Sequence, residues 1–312
     1  MKVFRSLDEI VPDAQGSAVT IGKFDGVHTG HLAIVQKLTA AAKDRGLETT
    51  VFTFDENPLQ LFAPEKCPTP LTSPAQRLRE LERIGVATAV MVPFTQELAA
   101  LSAEDFVQGI LVNRLNARYI TVGSDFRFGR GGKGDVELLT QLGNEHGFEV
   151  EVISDVIGDG GDRVSSTMIR NALTIGDVTH ATELLGRLPR VSGTVVRGDA
   201  RGCEIGFPTA NIDSDIEGLV PADGVYAGWL THKDSRYLSS ISIGTNPTFE
   251  GERARRVEAY VLDETLDLYG QTVHVDFVEQ LRPTLKFSSA DELIQQMHRD
   301  VEQTRQVLRN SE

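Results

Sequence analysis

The sequence predicts an α/β domain followed by a small antiparallel β-barrel with a C-terminal helix. Three observations carry that prediction. Strand-like and helix-like segments alternate from Ala18 to Val156, the pattern of a mostly parallel sheet covered on both faces. From Arg190 onward, short strand candidates follow one another across turn residues, with no convincing long helix before Ser289. The last segment, ADELIQQMHRDVEQTRQVL, then spaces Leu293, Ile294, Met297, Val301 and Leu308 as an amphipathic helix, with Asp291 and Glu292 near its start. A length of 312 residues suits two domains, and the change of character sets the expected boundary between 186 and 187.

Each element has its own local reason. AVTIG, Ala18 to Gly22, is a short apolar run ending in glycine. Leu32, Ile34, Val35 and Leu38 then recur at helical spacing, and Gly46 stands where that helix must stop. TTVFTF, Thr49 to Phe54, is β-branched and aromatic, so it reads as a strand. Arg77 to Ile84 reads as a helix, while Ala87 to Val92, Tyr119 to Val122 and Glu149 to Val156 read as strands. In the second half the strand candidates are VSGTVVRG, GVYAGWLT, YLSSISIG, RVEAYVLD and TVHVDFVEQL.

Composition excludes several classes of function. Against 31 basic residues stand 45 acidic ones, and a net charge of −14 argues against a general grip on nucleic acid or an anionic membrane. The two cysteines, Cys67 and Cys203, are far apart and form no CxxC, so neither a disulfide framework nor a zinc site is expected. The opening MKVFRSLDEIVPD carries Asp and Glu where a secretory signal needs an apolar run, and a cytoplasmic protein is the expectation.

Three loops in the first half have the chemistry of a phosphate site. GKFDGVHTGH, Gly22 to His31, lies where the first long strand gives way to a helix, whose N-terminus offers free N–H groups. His28 and His31 are three residues apart and can face one ligand, donating to oxygens whose charge builds in a transition state. The alternative is a tight turn with two surface histidines. VGSDFRFG, Val122 to Gly129, follows a later strand, and SSTMIR brings Ser166, Thr167 and Arg170 to a helix start. There the alternative is an N-cap serine with a solvated arginine.

GKFDGVHTGH resembles the signature of the HxGH nucleotidyltransferase superfamily, with its Rossmann-like α/β fold, and SSTMIR resembles its second phosphate motif. TFDENP and VGSDFRFG further resemble the bacterial bifunctional riboflavin kinase/FAD synthetases. The resemblance implies that the FMN phosphate attacks the α-phosphorus of ATP, giving FAD and pyrophosphate. By the match, His28, His31 and Arg170 stabilise the reacting phosphates, with Ser166 and Thr167 helping. Gly22, Phe24, Asp25, Gly26 and Asp125 complete the ATP-binding set of the adenylyltransferase. Phe62 and Phe128 are candidates for the flavin pocket, with plain core as the alternative.

In the second half, Gly198, Gly206, Phe207, Pro208, Thr209 and Asn211 lie in one glycine-rich stretch that includes GFPTAN. Thr209 and Asn211 point to one side of an extended segment, and their oxygens suit Mg²⁺ held with nucleotide phosphates. No GxxxxGK[ST] occurs, so any kinase here is of another design. Glu258 shares a strand face with Tyr260, away from Val257 and Val261, and composition alone reads it as solvated. GFPTAN, GVYAG, SIGTNPTF, RVEAYVLD and DLYGQTVHVDFVEQLRPTLKF together resemble the flavokinase domain, in its order. That resemblance implies a small antiparallel barrel that phosphorylates riboflavin with ATP, Glu258 acting as base, Thr209 and Asn211 on Mg²⁺. Arg282 is either close to flavin or phosphate or one half of a salt bridge.

Two positions depart from the family pattern: Cys203 where a basic residue is common, and Asn57 where many members have histidine. The expected partners are riboflavin, FMN and ATP, with FAD as product, no nucleic acid and no membrane, in a monomer or weak homo-oligomer. The competing readings are a chain that keeps one of the two activities, and a flavin sensor or carrier without turnover. A tRNA-binding synthetase-like protein is disfavoured by the charge of −14.

Overall fold

The computed structural model describes residues 1–154, 157–158, 161–198, 205–245 and 255–310. The chain divides into two compact units, Met1–Ser165 and Ser166–Glu312.

The first unit is built on six strands: β1 (Lys2–Phe4), β2 (Ser17–Ile21), β3 (Glu48–Phe54), β4 (Thr88–Val92), β5 (Ala117–Gly123) and β6 (Glu149–Ile153). They form one all-parallel sheet in the order β1-β4-β3-β2-β5-β6. Helix α1 (Thr29–Arg45) follows β2 and ends at Gly46, whose φ of 67° closes it in the left-handed conformation. Two short helices, α2 (Leu59–Phe62) and α3 (Pro74–Arg83), lie between β3 and β4. Ser73 and Gln76 form a reciprocal capping box that starts α3 three residues before the expected Arg77. The short α4 (Gln96–Ala100) and α5 (Ala103–Phe106) run into a π-helical stretch at Val107–Val112, and α6 (Val136–His146) precedes β6.

Strand alternation sends side chains to two cores. Val19, Ile21, Phe52, Val90, Ile120 and Val122 pack under Phe106, Leu111, Leu139 and Leu142. On the other face Ala18 and Tyr119 pack under Leu38, Ala41 and Ala42, while Val51 packs with Val35 and Leu81. Both faces of the sheet are therefore covered, which explains why β2 is buried along its whole length. The sequence reading assigns no element to Lys2–Phe4, Gln96–Phe106 or Val136–His146, and all three carry regular structure in the fold. Of the last expected strand, Glu149–Ile153 is described as β6, and Val156 lies outside the described residues.

The second unit opens with α7 (Ser166–Ile175) and α8 (Val178–Leu185). It continues with β7 (Arg190–Val196), β8 (Thr209–Ile212), β9 (Gly224–His232), β10 (Ser235–Thr245), β11 (Arg255–Val261) and β12 (Thr272–Arg282), and closes with α9 (Ala290–Arg309). The six strands form a closed antiparallel barrel in the order β10-β11-β8-β7-β12-β9. Five of the strands match the sequence candidates, and the sixth is the short Thr209–Ile212. At Gly228 a Cβ would come within 2.1 Å of the Asp276 carbonyl and 2.4 Å of Ile241, so glycine alone fits this crowded position. Helix α9 starts at the N-cap Ser289 and covers the outer face of β9, where Ala227 and Trp229 meet Leu308.

Candidate functional site

In the parallel sheet the chain runs from β2 outward through β3 and β4, then returns to place β5 on the other side of β2. The strand order reverses between β2 and β5, and ligands in such sheets bind at the carboxyl ends that flank that point. The motif Gly22–His31 follows β2, and Ser124 and Asp125 follow β5.

The loop after β2 is an unusual piece of backbone. Phe24 and Val27 have φ of 50° and 42°, a region that costs a bulky or β-branched residue on the order of 1–3 kcal/mol. Their side chains are fully buried in the core with Val35, Val51, Leu81 and Val86. Burial of each returns about 1.5–3 kcal/mol, enough to offset the strain and hold the loop in one shape. Asp25 is buried too, and its Oδ1 accepts the Leu71 and Thr72 N–H groups at 2.9 and 3.3 Å. The Gly26 N–H donates to Thr72 Oγ1 at 3.2 Å, so the segment before α3 grips the loop from one side. His28 is the N-cap residue of α1, and its ring stacks on His31 with centroids 3.8 Å apart, while Phe24 lies 4.8 Å from His31. Two imidazoles at a helix N-terminus, packed on a rigid loop, make a site for anionic oxygens.

Across the switch point Asp125 forms a two-pronged ion pair with Arg163 at 2.8 and 3.0 Å. The guanidinium hydrogen bond holds the Asp125 carboxyl below its ordinary range. Sequence reading missed Arg163; its place beside SSTMIR was the one available signal. Phe62 is largely exposed and stands 6.0 Å from Phe94, which in turn lies 5.0 Å from Phe54. Phe128 is buried instead, stacked on Phe126 and packed against Phe106. Asn57 Oδ1 accepts the Leu59 N–H at 3.0 Å, a local turn just before α2. In the second unit Ser166, half-buried, opens α7, with Thr167 exposed and Arg170 half-buried one turn on.

On the barrel, register collects the other candidates. Glu258 of β11 pairs with Asn211 of β8, and Tyr260 pairs with Thr209. Val257, Ala259 and Val261 point into the barrel and are buried, which leaves Glu258 and Tyr260 on the outer, half-buried face. Asn211 Nδ2 donates to the Thr209 carbonyl at 3.2 Å, so the amide is turned with Oδ1 as its remaining acceptor. Gly198 presses on that amide: a Cβ there would fall 2.5 Å from Asn211 Oδ1. Phe207 is buried between Tyr260 and His298, at 5.2 and 5.1 Å, and Gly206 and Pro208 flank it. Pro208 and Thr209 line an open cleft of about 100 Å³ together with Val195, Ala259, Glu264, Leu268 and Tyr269. One hydroxyl and one amide oxygen suit a hard cation that arrives with phosphates. Among the described residues no cluster of three His, Cys, Asp or Glu side chains forms a metal site independent of a nucleotide.

Arg282 makes the salt bridge that was one of its two expected roles. Its Nε and Nη2 fork onto Asp300 of α9, the closest contact 2.7 Å, and Nη1 donates to the Pro283 carbonyl. Cys203 and the end of SIGTNPTF lie outside the described residues.

Residues 10–168 match the FAD synthetase family model, and residues 185–308 match the riboflavin kinase model. The bifunctional riboflavin kinase/FMN adenylyltransferase of Escherichia coli (strain K12) is 39% identical over 302 residues, 96% of each chain. The protein of the same name from Listeria monocytogenes is 36% identical, covering 92% of this chain and 91% of its own. A crystal structure described as a macrolide-efflux protein from Streptococcus pneumoniae superposes with a TM-score of 0.86 at 33% identity, covering 97% of this chain and 98% of its own. No described helix is long and apolar enough to cross a membrane. With a parallel α/β sheet followed by a closed antiparallel barrel, both family models matched in that order, and relatives at 36–39% identity over nearly the whole chain, the chain belongs to the bifunctional riboflavin kinase/FMN adenylyltransferases.

Proposed function

We propose that the two activities run at two distinct sites, one assigned to residues 1–186 and the other to residues 187–312. At the kinase site Glu258 takes the proton of the riboflavin 5′-hydroxyl as its oxygen attacks the γ-phosphorus of ATP, leaving FMN and ADP. Thr209 and Asn211 hold the Mg²⁺ that ATP brings, which neutralises charge on the phosphates. Gly198, Gly206, Phe207 and Pro208 shape the nucleotide's seat beside the cleft lined by Leu268 and Tyr269. Arg282 anchors α9 behind that site through Asp300.

At the adenylyltransferase site the FMN phosphate attacks the α-phosphorus of a second ATP, forming FAD and releasing pyrophosphate. Attacker and leaving group are both anionic, so positioning and charge stabilisation matter more than a base. His28 and His31 donate to the reacting phosphates; Ser166, Thr167 and Arg170 are carried into that role by the SSTMIR motif. Gly22, Phe24, Asp25 and Gly26 set the loop, and Asp125 with Arg163 borders the nucleotide. The exposed Phe62, backed by Phe94, offers a face for the flavin ring, and Phe128 supports that wall from the core. The protein works in the cytoplasm, as a monomer or weak homo-oligomer. The efflux description of the Streptococcus pneumoniae chain is not carried over, because both family models matched here are enzymes.

The observation that carries this reading is the register that sets Glu258 across from Asn211, a base beside a cation's oxygen donor. A pure flavin carrier has no use for that pair. The test is chromatographic: purified protein with riboflavin, ATP and MgCl₂, followed for FMN and FAD. FMN that appears and then gives way to FAD supports both sites. FMN alone removes the adenylyltransferase, and saturable quenching of flavin fluorescence without product turns the reading to a binding protein.

A further inference from the structure

The first turn of α3 contains a charge that packing does not call for. Arg77 is 4% exposed, and it shares the inward side of the helix with Leu78 and Leu81. A guanidinium has five N–H donors, and a buried one is ordinarily forked onto a carboxylate. Here Nη1 donates to the carbonyl of Phe54, the last residue of β3, at 2.5 Å, and Nε meets no acceptor among the described residues. Burial works against its charge, and the groups that favour the charge are Asp25, in the loop after β2, and Asp55, in the loop after β3. The loop after β2 is already tied to the end of β3, since the Thr53 hydroxyl donates to the Lys23 carbonyl at 3.1 Å. An apolar side chain would fill this position without burying unmet donors. The cation's distinctive contribution is its field on the two strand-end loops.

We propose that Arg77 is a positioning residue for adenylyl transfer, its buried cation drawing the Asp25 and Asp55 loops together so that the left-handed loop aims His28 and His31. Arg77 touches no substrate in this scheme and acts through the loop. The inference rests on the adenylyltransferase reading of that site.

The test uses the full chain with Arg77→Met and Arg77→Lys. FAD formation from FMN and ATP is followed beside FMN formation from riboflavin, the control for an intact second unit. Arg77→Met is expected to lower kcat for FAD formation about tenfold or more, because a small misalignment of catalytic groups costs that much. KM for FMN and ATP should stay within about threefold, because the residue acts on the transition state and not on uniform binding. Arg77→Lys, which keeps the charge, should recover kcat to within about threefold of wild type. A kcat within about twofold of wild type in Arg77→Met overturns the proposal. So does a Lys variant as impaired as the Met variant, or a loss of rate that follows a lowered melting temperature. Should the Met variant not fold, Arg77→Gln carries the same comparison, since it keeps a donor for Phe54 while removing the charge. Wild-type protein that makes no FAD from FMN would sink the adenylyltransferase reading itself. Wild-type FAD formation with an indifferent Arg77 variant sinks only this inference.

Discussion

Glu258 and Asn211 face each other across the antiparallel pair of β11 and β8, one residue from the buried side of the barrel. The carboxylate and the amide oxygen proposed for the kinase reaction are thus placed by strand pairing and not by a flexible loop. Replacing Glu258 by Gln keeps the shape and removes the base. FMN formation should fall by roughly 10²–10⁴-fold with little change in riboflavin KM, and FAD formation from added FMN should persist. Product chromatography with each substrate alone separates the two results.

Gly198→Ala tests how tightly the Asn211 amide must be held. A Cβ 2.5 Å from Asn211 Oδ1 forces the amide aside, since the clash falls on the end of that side chain. A displacement of that order costs about 100-fold in turnover when it misplaces a reacting group. The expected signature is a kinase rate that rising Mg²⁺ restores in part, measured at several MgCl₂ concentrations. A rate equal to wild type would remove Asn211 from the metal's coordination.

The Arg282–Asp300 pair is 14% and 4% exposed, so each charge depends on the other. Asp300→Ala strands the guanidinium and should cost the second unit about 3–5 kcal/mol in denaturant unfolding. The double replacement Arg282→Met with Asp300→Leu should recover most of that loss, because the desolvation burden leaves with the charges. Riboflavin KM measured on the double variant then reports whether Arg282 has any part at the flavin.

Two tyrosines should titrate late. Burial pushes Tyr226 up to about 12, and burial with the hydrogen bond to Glu151 does the same for Tyr119. Their folded pKa values are raised above the unfolded value near 10, so the stability they contribute is complete below pH 10. It is lost as pH rises from there through about 12, which predicts alkaline unfolding across that window. Absorbance of tyrosinate near 295 nm, followed together with circular dichroism, checks whether the last two tyrosines ionise only as the fold is lost.

Local pattern made much of the fold legible. The helical spacing of Leu32, Val35 and Leu38 and the stop at Gly46 locate α1, and β-branched runs locate β3, β4 and β5. Short or mixed segments escaped for a physical reason. Lys2–Phe4 is three residues long and becomes a strand only by pairing with β4. Thr209–Ile212 is four residues long and mixes Thr and Asn with Ala and Ile, so the apolar period that marks a strand is missing there. Nothing in the sequence marks Arg77 as buried, since a charged side chain ordinarily stays at a helix surface, and only packing reveals it.

By themselves the residues determined the alternation of strands and helices, the motif loops and the chemistry those loops can perform, because each depends on neighbours a few positions apart. The tertiary structure decided what lies across from what. Pairing of β8 with β11 sets Glu258 against Asn211, the sheet order puts Gly22–His31 and Asp125 at one switch point, and α9 takes Arg282 as an ion-pair partner. Each of these joins side chains far apart in the chain, and register, barrel closure and the burial of charge are settled only when distant segments meet.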